Sequence, residues 1–235
     1  GEDGKTVADT TVIGVGLGGA YSGAVNKAAA APDTTVDVNI GNENYTDPYG
    51  NTGITDLYVK GENYVKQHAD VSSLTVGGLL AIGAGKVETT SNNTLAVTAK
   101  GGNVGTLTVS AEGTSDSNAH ANGDGGGIAD VSLEAAKAVN TVTNTTKAGL
   151  DGNWTIAGDL SLGSVQNTLS NVQAEAVHVG AATVSGAKAE DTITNGSTTA
   201  SIGDQASISA KKVTVLAKNY ITTGQDYDYA VDAKA

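Results

Sequence analysis

The sequence predicts an all-β fold, a parallel β-solenoid, in which repeats of about 50 residues stack along one axis. Three observations predict it: an ordered set of segments recurs four times, one segment alternates strictly between apolar and polar residues, and small side chains dominate. Aromatic residues are only 4% of the chain, and there is no Cys, Met or Phe. A core of large rings is therefore excluded, and stacked Ala, Val and Leu are favoured.

The alternating segment fixes the length of the repeat. Its copies begin at Leu57, Leu107, Leu160 and Val213, with separations of 50, 53 and 53 residues. Leu107, Leu160 and Val213 are expected to point inward at equivalent positions. We divide the chain, read as one repetitive segment over residues 1–235, into repeats 11–73, 74–127, 128–177 and 178–235. The first repeat carries an insertion.

Two further segments recur in the same order. Apolar, Gly-rich strips occupy residues 12–20, 76–85, 131–138 and 179–188, and Thr/Asn-rich polar segments begin at Val87, Val139 and Ala189. Gly and Asn are expected at corners, where positive φ is needed. A β-helix turn takes roughly 20 to 25 residues, so we expect about two coils per repeat. About ten coils would form a rod of roughly 50 Å.

The strip at residues 77–83 and the stretch 200–217, with its Gly203-Asp204 corner, resemble the repeats of large leukotoxin-like filamentous adhesins. A looser copy stands at residues 152–160, and filamentous haemagglutinin-like exoproteins remain an alternative family. The resemblance implies a right-handed β-helical rod, secretion through an outer-membrane partner, and attachment to host or neighbouring cells. Residues 32–64 depart from the pattern.

The expected function is therefore a structural and adhesive rod segment of a secreted bacterial surface filament. Its expected partners are a surface protein or glycan and flanking repeats of the same chain, since we read the sequence as a piece of something longer. A net charge of −12 argues against nucleic acid and anionic membranes as partners. No run of 18 apolar residues occurs, so no membrane insertion is expected.

A carbohydrate-active enzyme on the same fold is the alternative. Lyases of this fold usually need a cationic base, often Arg, and this chain has none. A hydrolase needs convergent carboxylates. The acidic residues instead fall mostly singly, at positions expected to be turns: Asp56, Glu112, Asp159 and Asp204. We expect no catalytic, cofactor-binding or metal-binding residue.

Several polar groups resemble binding sites but are expected to have structural roles. His68, His120 and His178 lie too far apart for a metal motif and are expected at the surface or at corners. Residues 115–118 and 122–127 carry oxygen ligands but match no Ca²⁺ motif, so a flexible loop is expected. The glycines of residues 14–19 lack a following helix, which disfavours a dinucleotide loop. Asn-x-Ser/Thr triplets are expected by chance, at Asn44, Asn92, Asn144, Asn153 and Asn195.

Two surface features remain open. The densest aromatic patch comprises Tyr45, Tyr49, Tyr58 and Tyr64, which either bind sugars and partner proteins or pack the insertion against the rod, the latter being favoured. An ice-binding face would require a regular Thr-x-Thr array on successive coils. Thr108, Ser161 and Thr214 match only once per repeat, which disfavours that function.

Overall fold

A computed structural model describes residues 4–31, 33–39, 54–222 and 231–234, and this part of the chain is all-β, with twelve strands and no helix. The bounds are β1 (Gly4–Gly16), β2 (Gly19–Ala30), β3 (Asp33–Asn39), β4 (Ile54–Gly77), β5 (Leu80–Gly126), β6 (Ala129–Ile156), β7 (Asp159–Glu175), β8 (His178–Val179), β9 (Ala182–Ile202), β10 (Ser207–Ser209), β11 (Lys212–Thr222) and β12 (Val231–Lys234).

Every recorded strand pair is parallel, and the partner of a residue lies about one repeat away. Leu57 pairs with Leu107, Leu107 with Leu160, and Leu160 with Val213. The repeat length predicted from the sequence is thus the number of residues between strand partners in the sheet. The extra length of the first repeat is visible as well, because β1 pairs with β4 at a separation of 61 residues rather than 50.

The expectation of two coils per repeat is wrong. Two coils would pair residues about 25 positions apart, whereas the observed partners are 49 to 61 positions apart. The physical reason is that one coil uses the whole repeat: residues 80–104 run along one side of the coil and residues 106–126 along the other before a residue meets its strand partner. The longest ladders among the described residues, such as Ala8, Ala69, Ala119, Val172 and Val231, have five members. Four steps of about 4.8 Å make a stack of about 19 Å, not 50 Å.

The sheet curls so that successive stretches of chain lie in two facing limbs. Limb 1 contains β1, β4, residues 106–126 of β5, β7, β8, β11 and β12, and limb 2 contains β2, β3, residues 80–104 of β5, β6, β9 and β10. Side chains of the two limbs meet between them. The Gln67 amide donates to the Thr90 carbonyl at 2.5 Å, and the Asn144 amide donates to the Thr168 hydroxyl at 2.7 Å.

The corners where the chain passes from limb 1 to limb 2 lie at residues 17–18, 78–79, 127–128 and 180–181. Three of these corners fall within predicted Gly-rich strips, whereas the strip at residues 131–138 lies inside β6 instead. Successive corners are joined by backbone hydrogen bonds: Gly78 N–H donates to the Gly16 carbonyl at 2.9 Å, and Gly127 N–H donates to the Val179 carbonyl at 3.0 Å. Backbone crowding explains the composition. A Cβ at Gly77 would collide with the Leu80 carbonyl, and one at Gly78 with the Leu17 carbonyl. The strips are therefore spacing elements of the corners.

Two apolar clusters fill the space between the limbs. The larger cluster includes Leu107, Leu150 and Leu160, and contains the single Trp, Trp154, whose indole donates to the Asp151 carbonyl at 2.8 Å. The second consists of small residues such as Ala69, Val87 and Ala138. The predicted core of stacked small side chains is confirmed for the described residues, with Leu concentrated in one cluster.

A buried polar layer separates these clusters, and the sequence analysis did not anticipate it. Its members are uncharged and point inward from both limbs: Gln67, Thr89, Ser91, Asn93, Ser115, Ser117, Asn140, Asn144, Thr146, Ser164, Gln166, Thr168 and Ser170. Most are hydrogen-bonded to one another, as Thr89 is to Asn140 at 2.7 Å and Ser115 is to Asn144 at 2.7 Å. Such pairing offsets the cost of burying polar groups.

Gly and Asn are not confined to corners with positive φ. Among the described residues, only Gly101 and Gly152 have positive φ, at 68° and 74°. These two glycines occupy a register shift between β5 and β6, where Lys100 pairs with Asp151 but Gly102 pairs with Trp154. Other Gly and Asn residues, such as Asn93 and Gly113, lie within the continuous strand β5, face inward and are buried.

Candidate functional site

The outward faces of the two limbs are the candidate functional site. Because side chains alternate along each strand and pair with residues one repeat away, every outward residue belongs to a column that runs across the strands. Neighbouring members of a column are about 4.8 Å apart. Any ligand that binds these faces therefore meets the same column position in successive repeats.

On limb 2, one column is dominated by charge pairing. Glu88 accepts hydrogen bonds from Lys27, at 2.5 Å, and from Lys86. These two ammonium groups lower the pKa of the Glu88 carboxyl to about 2. Farther along the column of Lys27 and Glu88 is Glu190, which lies 2.6 Å from Lys188 of the neighbouring column, and this contact lowers the pKa of Glu190. This face carries both positive and negative side chains here, so the net negative charge of the chain is not concentrated at this position.

Limb 1 carries a similar arrangement on its exposed surface. Lys60 lies 2.5 Å from Glu62 and 3.1 Å from Glu112. The pKa of Lys60 is raised by hydrogen bonds to both carboxylates, and the pKa of Glu62 is lowered by Lys60. Solvent screens these exposed contacts, so they organise the surface more than they stabilise the fold. Lys66 extends the pattern with a 3.3 Å contact to Asp116.

The histidines lie at the surface or near a corner, as expected. His120 Nδ1 is 2.8 Å from Asp70 Oδ2, and His68 Nε2 is 3.6 Å from Asp9 Oδ1. Asp9 and Asp70 are direct strand partners, so each imidazole lies beside one member of a pair of like charges. His178 Nε2 is 3.1 Å from the Gly123 carbonyl near a corner. Within the described residues, no group of three or more His, Asp or Glu side chains could hold a metal ion.

The flexible loop predicted around residues 115–127 is wrong. Residues 115–126 lie in β5, with Ser115 and Ser117 buried and Asp116 pointing outward toward Lys66. Alternation explains the error, because the polar residues at inward positions are partners in the buried polar layer. Ser115 and Ser117 face inward, whereas Asp116, Asn118, Asn122 and Asp124 share the outward side, where the Asn122 amide donates to the Asp124 carboxylate at 3.3 Å.

The acidic residues expected at turns divide into two groups. Asp204 lies in a turn, and Asp159 opens β7 directly after a bend, as predicted. Asp56 and Glu112 were placed wrongly, since both lie within strands and point outward. Asp56 accepts a hydrogen bond of 2.5 Å from the Thr106 hydroxyl, and Glu112 contacts Lys60. Their role is to balance neighbouring polar groups in outward columns.

The tyrosine patch is described only in part. Tyr58 and Tyr64 point outward from β4 and are 73% and 41% exposed, and Tyr64 donates to Asp116 at 3.4 Å. Tyr45 and Tyr49 lie outside the described residues, so the choice between binding and packing stays open for them. Of the Asn-x-Ser/Thr triplets, Asn92 is exposed, whereas Asn144 is buried in the polar layer. Asn44 lies outside the described residues.

The Gly-rich strip at residues 14–19 joins β1 to β2 at a corner, and a strand rather than a helix follows it, as expected. Its tip is part of an apolar ridge along the corners, comprising Val15, Leu17, Val76, Leu79, Ile128 and Val179, all exposed. Leu17 is 99% exposed. The ridge is a regular feature of the corners and contains no charged side chain.

A Thr-rich face on limb 2 was missed by the sequence analysis. Three adjacent columns contain only Thr, Asn and Ser in three successive strands: Thr90, Thr141 and Thr192, then Asn92, Thr143 and Thr194, then Thr94, Thr145 and Ser197. We call these nine residues the threonine face. The column of Thr108, Ser161 and Thr214, which was compared with an ice-binding array above, lies on limb 1 instead. The recurring Thr-x-Thr or Thr-x-Asn within each polar segment was the available signal.

Comparisons with known proteins add no family to this description. The sequence matches no family model, and it has no significant match among curated proteins or among solved structures. Over the described ranges, no helix is long and apolar enough to cross a membrane.

Proposed function

We propose that this chain is a segment of a structural and adhesive rod, a right-handed parallel β-helix with one coil per repeat. The observation that carries the proposal is the unbroken parallel register across successive repeats, from Leu57 through Leu107 and Leu160 to Val213. Right-handed connections are the rule between parallel strands, which supports the handedness. Such a stack grows by addition of repeats and presents each outward column many times.

The proposed role is to present these columns to a partner at a bacterial surface after secretion. Repeated weak contacts add strongly when they are held on one scaffold, so a regular surface suits attachment to a surface glycan or protein. The mixed-charge columns around Glu88 and Lys60 and the exposed Tyr58 are groups that such partners use. No nucleic acid is proposed as a partner, because the net charge is −12.

Binding without turnover is the test. The purified chain is exposed to immobilised mucin glycans, glycosaminoglycans and polyuronates, and both saturable binding and release of reducing ends or unsaturated products are measured. The rod proposal expects saturable binding to at least one surface and no product. Product release from any of the polysaccharides would favour the alternative, a carbohydrate-active enzyme on this fold, and overturn the proposal.

The threonine face supports a second candidate function, binding to an ordered water lattice such as ice. Its hydroxyl and methyl groups repeat at about 4.8 Å across strands and about 6.6 Å along them, and none of its nine residues is charged. Inhibition of ice recrystallisation is the measurement. Thr143→Lys should abolish an effect that Thr108→Lys, on the opposite limb, retains. Inactivity of the unaltered chain would remove this candidate.

A further inference from the structure

Three lysines form one column on the outward face of limb 2. Lys86 pairs with Lys137, and Lys137 pairs with Lys188, in successive strands. All three point outward, because the residue that follows each of them belongs to the apolar cluster of small side chains. We call Lys86, Lys137 and Lys188 the lysine ladder. Over the described ranges, no other column carries charged residues of one sign in three successive strands.

Such a column works against the stability of the sheet. Strand partners lie about 4.8 Å apart, and like charges directly opposite each other are destabilising. Two of the three lysines are neutralised within the chain. Lys86 contacts Glu88, and Lys188 contacts Glu190, in each case two residues farther along the same strand.

The central lysine lacks the equivalent glutamate. Val139 occupies that position, between Glu88 and Glu190 in the same column. The charge of Lys137 lowers the pKa of Glu190, but no ion pair joins Lys137 to a side chain in the described part of the chain. A partly exposed ammonium group held between two others is therefore positioned to bind an anion from solution.

We infer that the lysine ladder binds a linear polyuronate, a glycan with one carboxylate on each sugar ring, lying across the strands. The inference deepens the proposed function and rests on it, because it names the class of surface glycan. The spacing of the ladder favours a polymer with regularly placed charges. Its three positions span about 10 Å in two equal steps, and the rings of a linear glycan advance by a similar distance, so neighbouring carboxylates meet neighbouring lysines.

The surface on both sides of the ladder suits a sugar chain. Ala84 and Gly186 precede Lys86 and Lys188 by two residues, so the same face carries small side chains there and leaves the ammonium groups accessible. On the other side, beyond the column of Glu88, lies the threonine face. Its hydroxyl groups both donate and accept hydrogen bonds, as sugar hydroxyls do.

The local charge also favours an anionic ligand, although the chain as a whole has a net charge of −12. The ladder and its neighbouring column contain four lysines, Lys27 included, against two glutamates. Charges more distant than about 8 Å are largely screened at physiological ionic strength. A polyuronate on the ladder therefore meets a positive surface.

Calorimetric titration with polygalacturonate oligomers of defined length tests the inference. The unaltered chain should bind them saturably. Lys137→Gln should weaken binding about three- to five-fold, as expected for one exposed charge contact, and replacing all three ladder lysines with Gln should weaken it at least about ten-fold. Lys147→Gln is the matched control, because Lys147 is an outward lysine of the same limb whose strand partners, Ala96 and Thr199, are uncharged. It should change the affinity less than about two-fold.

A second variant blocks the ladder without removing a lysine. Val139→Glu gives Lys137 the glutamate that its two neighbours already have, and should weaken binding about as much as Lys137→Gln does. Val165→Glu adds the same charge at an outward position of limb 1, in the column of Glu112, and should leave the affinity within about two-fold. Circular dichroism on each variant checks that the strand content is unchanged.

Four outcomes would overturn the inference: no saturable binding of polygalacturonate, undiminished binding by the triple variant, equal affinity for a neutral glucan of the same length, or tighter binding of a sulfated glycan through the same lysines. Failure of the proposed function looks different. Binding of mucin glycans that is equal in the unaltered chain and the triple variant would leave the adhesive role intact and remove the ladder. Release of unsaturated products from polygalacturonate that still depends on the ladder would leave the ladder intact and remove the rod.

Discussion

Gly113 and Gln166 are direct strand partners, and the Gln166 side chain occupies the space that a Cβ at Gly113 would require. The same Cβ would collide with the Thr146 hydroxyl, which donates to the Gln166 side-chain oxygen at 2.5 Å. The absence of a side chain at position 113 thus makes room for a hydrogen bond between the two limbs. A glycine inside a strand is explained here by packing, and not by backbone conformation.

Replacing Gly113 with Ala should therefore destabilise the fold. The added methyl group forces Gln166 or Thr146 to move, which costs about 1–3 kcal/mol by overpacking and loss of the hydrogen bond. Chemical denaturation followed by circular dichroism measures the change. Gly163→Ala is the matched control, because a Cβ there meets nothing within 4 Å. Equal stability of the two variants would contradict this account of the polar layer.

A charge placed in the column of Leu107, Leu160 and Val213 should be tolerated only at the end. Leu160→Asp puts an unpaired carboxylate into the larger apolar cluster and should cost about 4 kcal/mol or more. Val213→Asp makes the same kind of change in the same column at a residue that is 47% exposed, and should cost less than about 1 kcal/mol. Urea titrations give the free energy of unfolding of each variant. Similar losses at both positions would show that Leu160 is not more deeply buried than Val213.

Replacing the buried Asn144 should lower the stability of the fold more than replacing the exposed Asn92. The Asn144 side-chain oxygen accepts from Ser115 at 2.7 Å, and its amide donates to Thr168 at 2.7 Å. Asn144→Ala leaves two buried hydroxyl groups without this partner and should cost about 1–3 kcal/mol. Asn92→Ala removes an outward, exposed side chain and should change stability by less than about 0.5 kcal/mol. Equal unfolding midpoints would show that the polar layer is held by other contacts.

Acid should weaken the contact between Glu88 and its two lysines. The pKa of Glu88 is lowered from 4.5 to about 2, so the carboxylate binds its proton more weakly in the folded chain than in the unfolded one. The resulting stabilisation is present above pH 4.5 and is lost as the pH falls toward 2. Carboxyl chemical shifts in an NMR titration measure the pKa directly.

The lysine partners provide the controls for that titration. Lys27→Met and Lys86→Met should each move the pKa of Glu88 upward, since each removes one hydrogen-bonded ammonium group. Lys147→Met makes the same change of charge on an outward face away from Glu88 and should leave that pKa unaltered. An unchanged pKa in both partner variants would contradict the assigned cause.

The sequence was sufficient for the strand type, the repeat length and the equivalence of Leu57, Leu107, Leu160 and Val213, because each depends on spacing along the chain. It was insufficient for the buried polar layer. Thr89, Ser91 and Asn93 share the alternation phase of Val87 and Leu95, which are buried. That shared phase was the signal, but no inward position was predicted for the polar segment. A polar side chain in this phase can be buried only where the opposite limb supplies a hydrogen-bond partner, and the identity of that partner depends on tertiary structure.

The predicted number of coils per repeat was wrong for a different reason. It was taken from a turn of roughly 20 to 25 residues, whereas one turn of this chain takes a whole repeat, as the pairing of Leu107 with Leu160 shows. The threonine face was missed because its columns form only after the register is known. Each column takes one residue from each of three strands, and neighbouring columns lie two residues apart along a strand. The sequence of a single strand therefore shows only one residue of each column.

Pairing between residues one repeat apart has a genetic consequence. Duplication or loss of one whole repeat leaves every remaining residue opposite a residue of the same column type, so the inward and outward sequences stay in phase. A change of one or two codons within a strand would instead misalign both limbs, unless a bulge such as the one at Gly196 absorbs it. Recombination between homologous repeats is therefore a structurally tolerated way for a lineage to vary the length of the molecule.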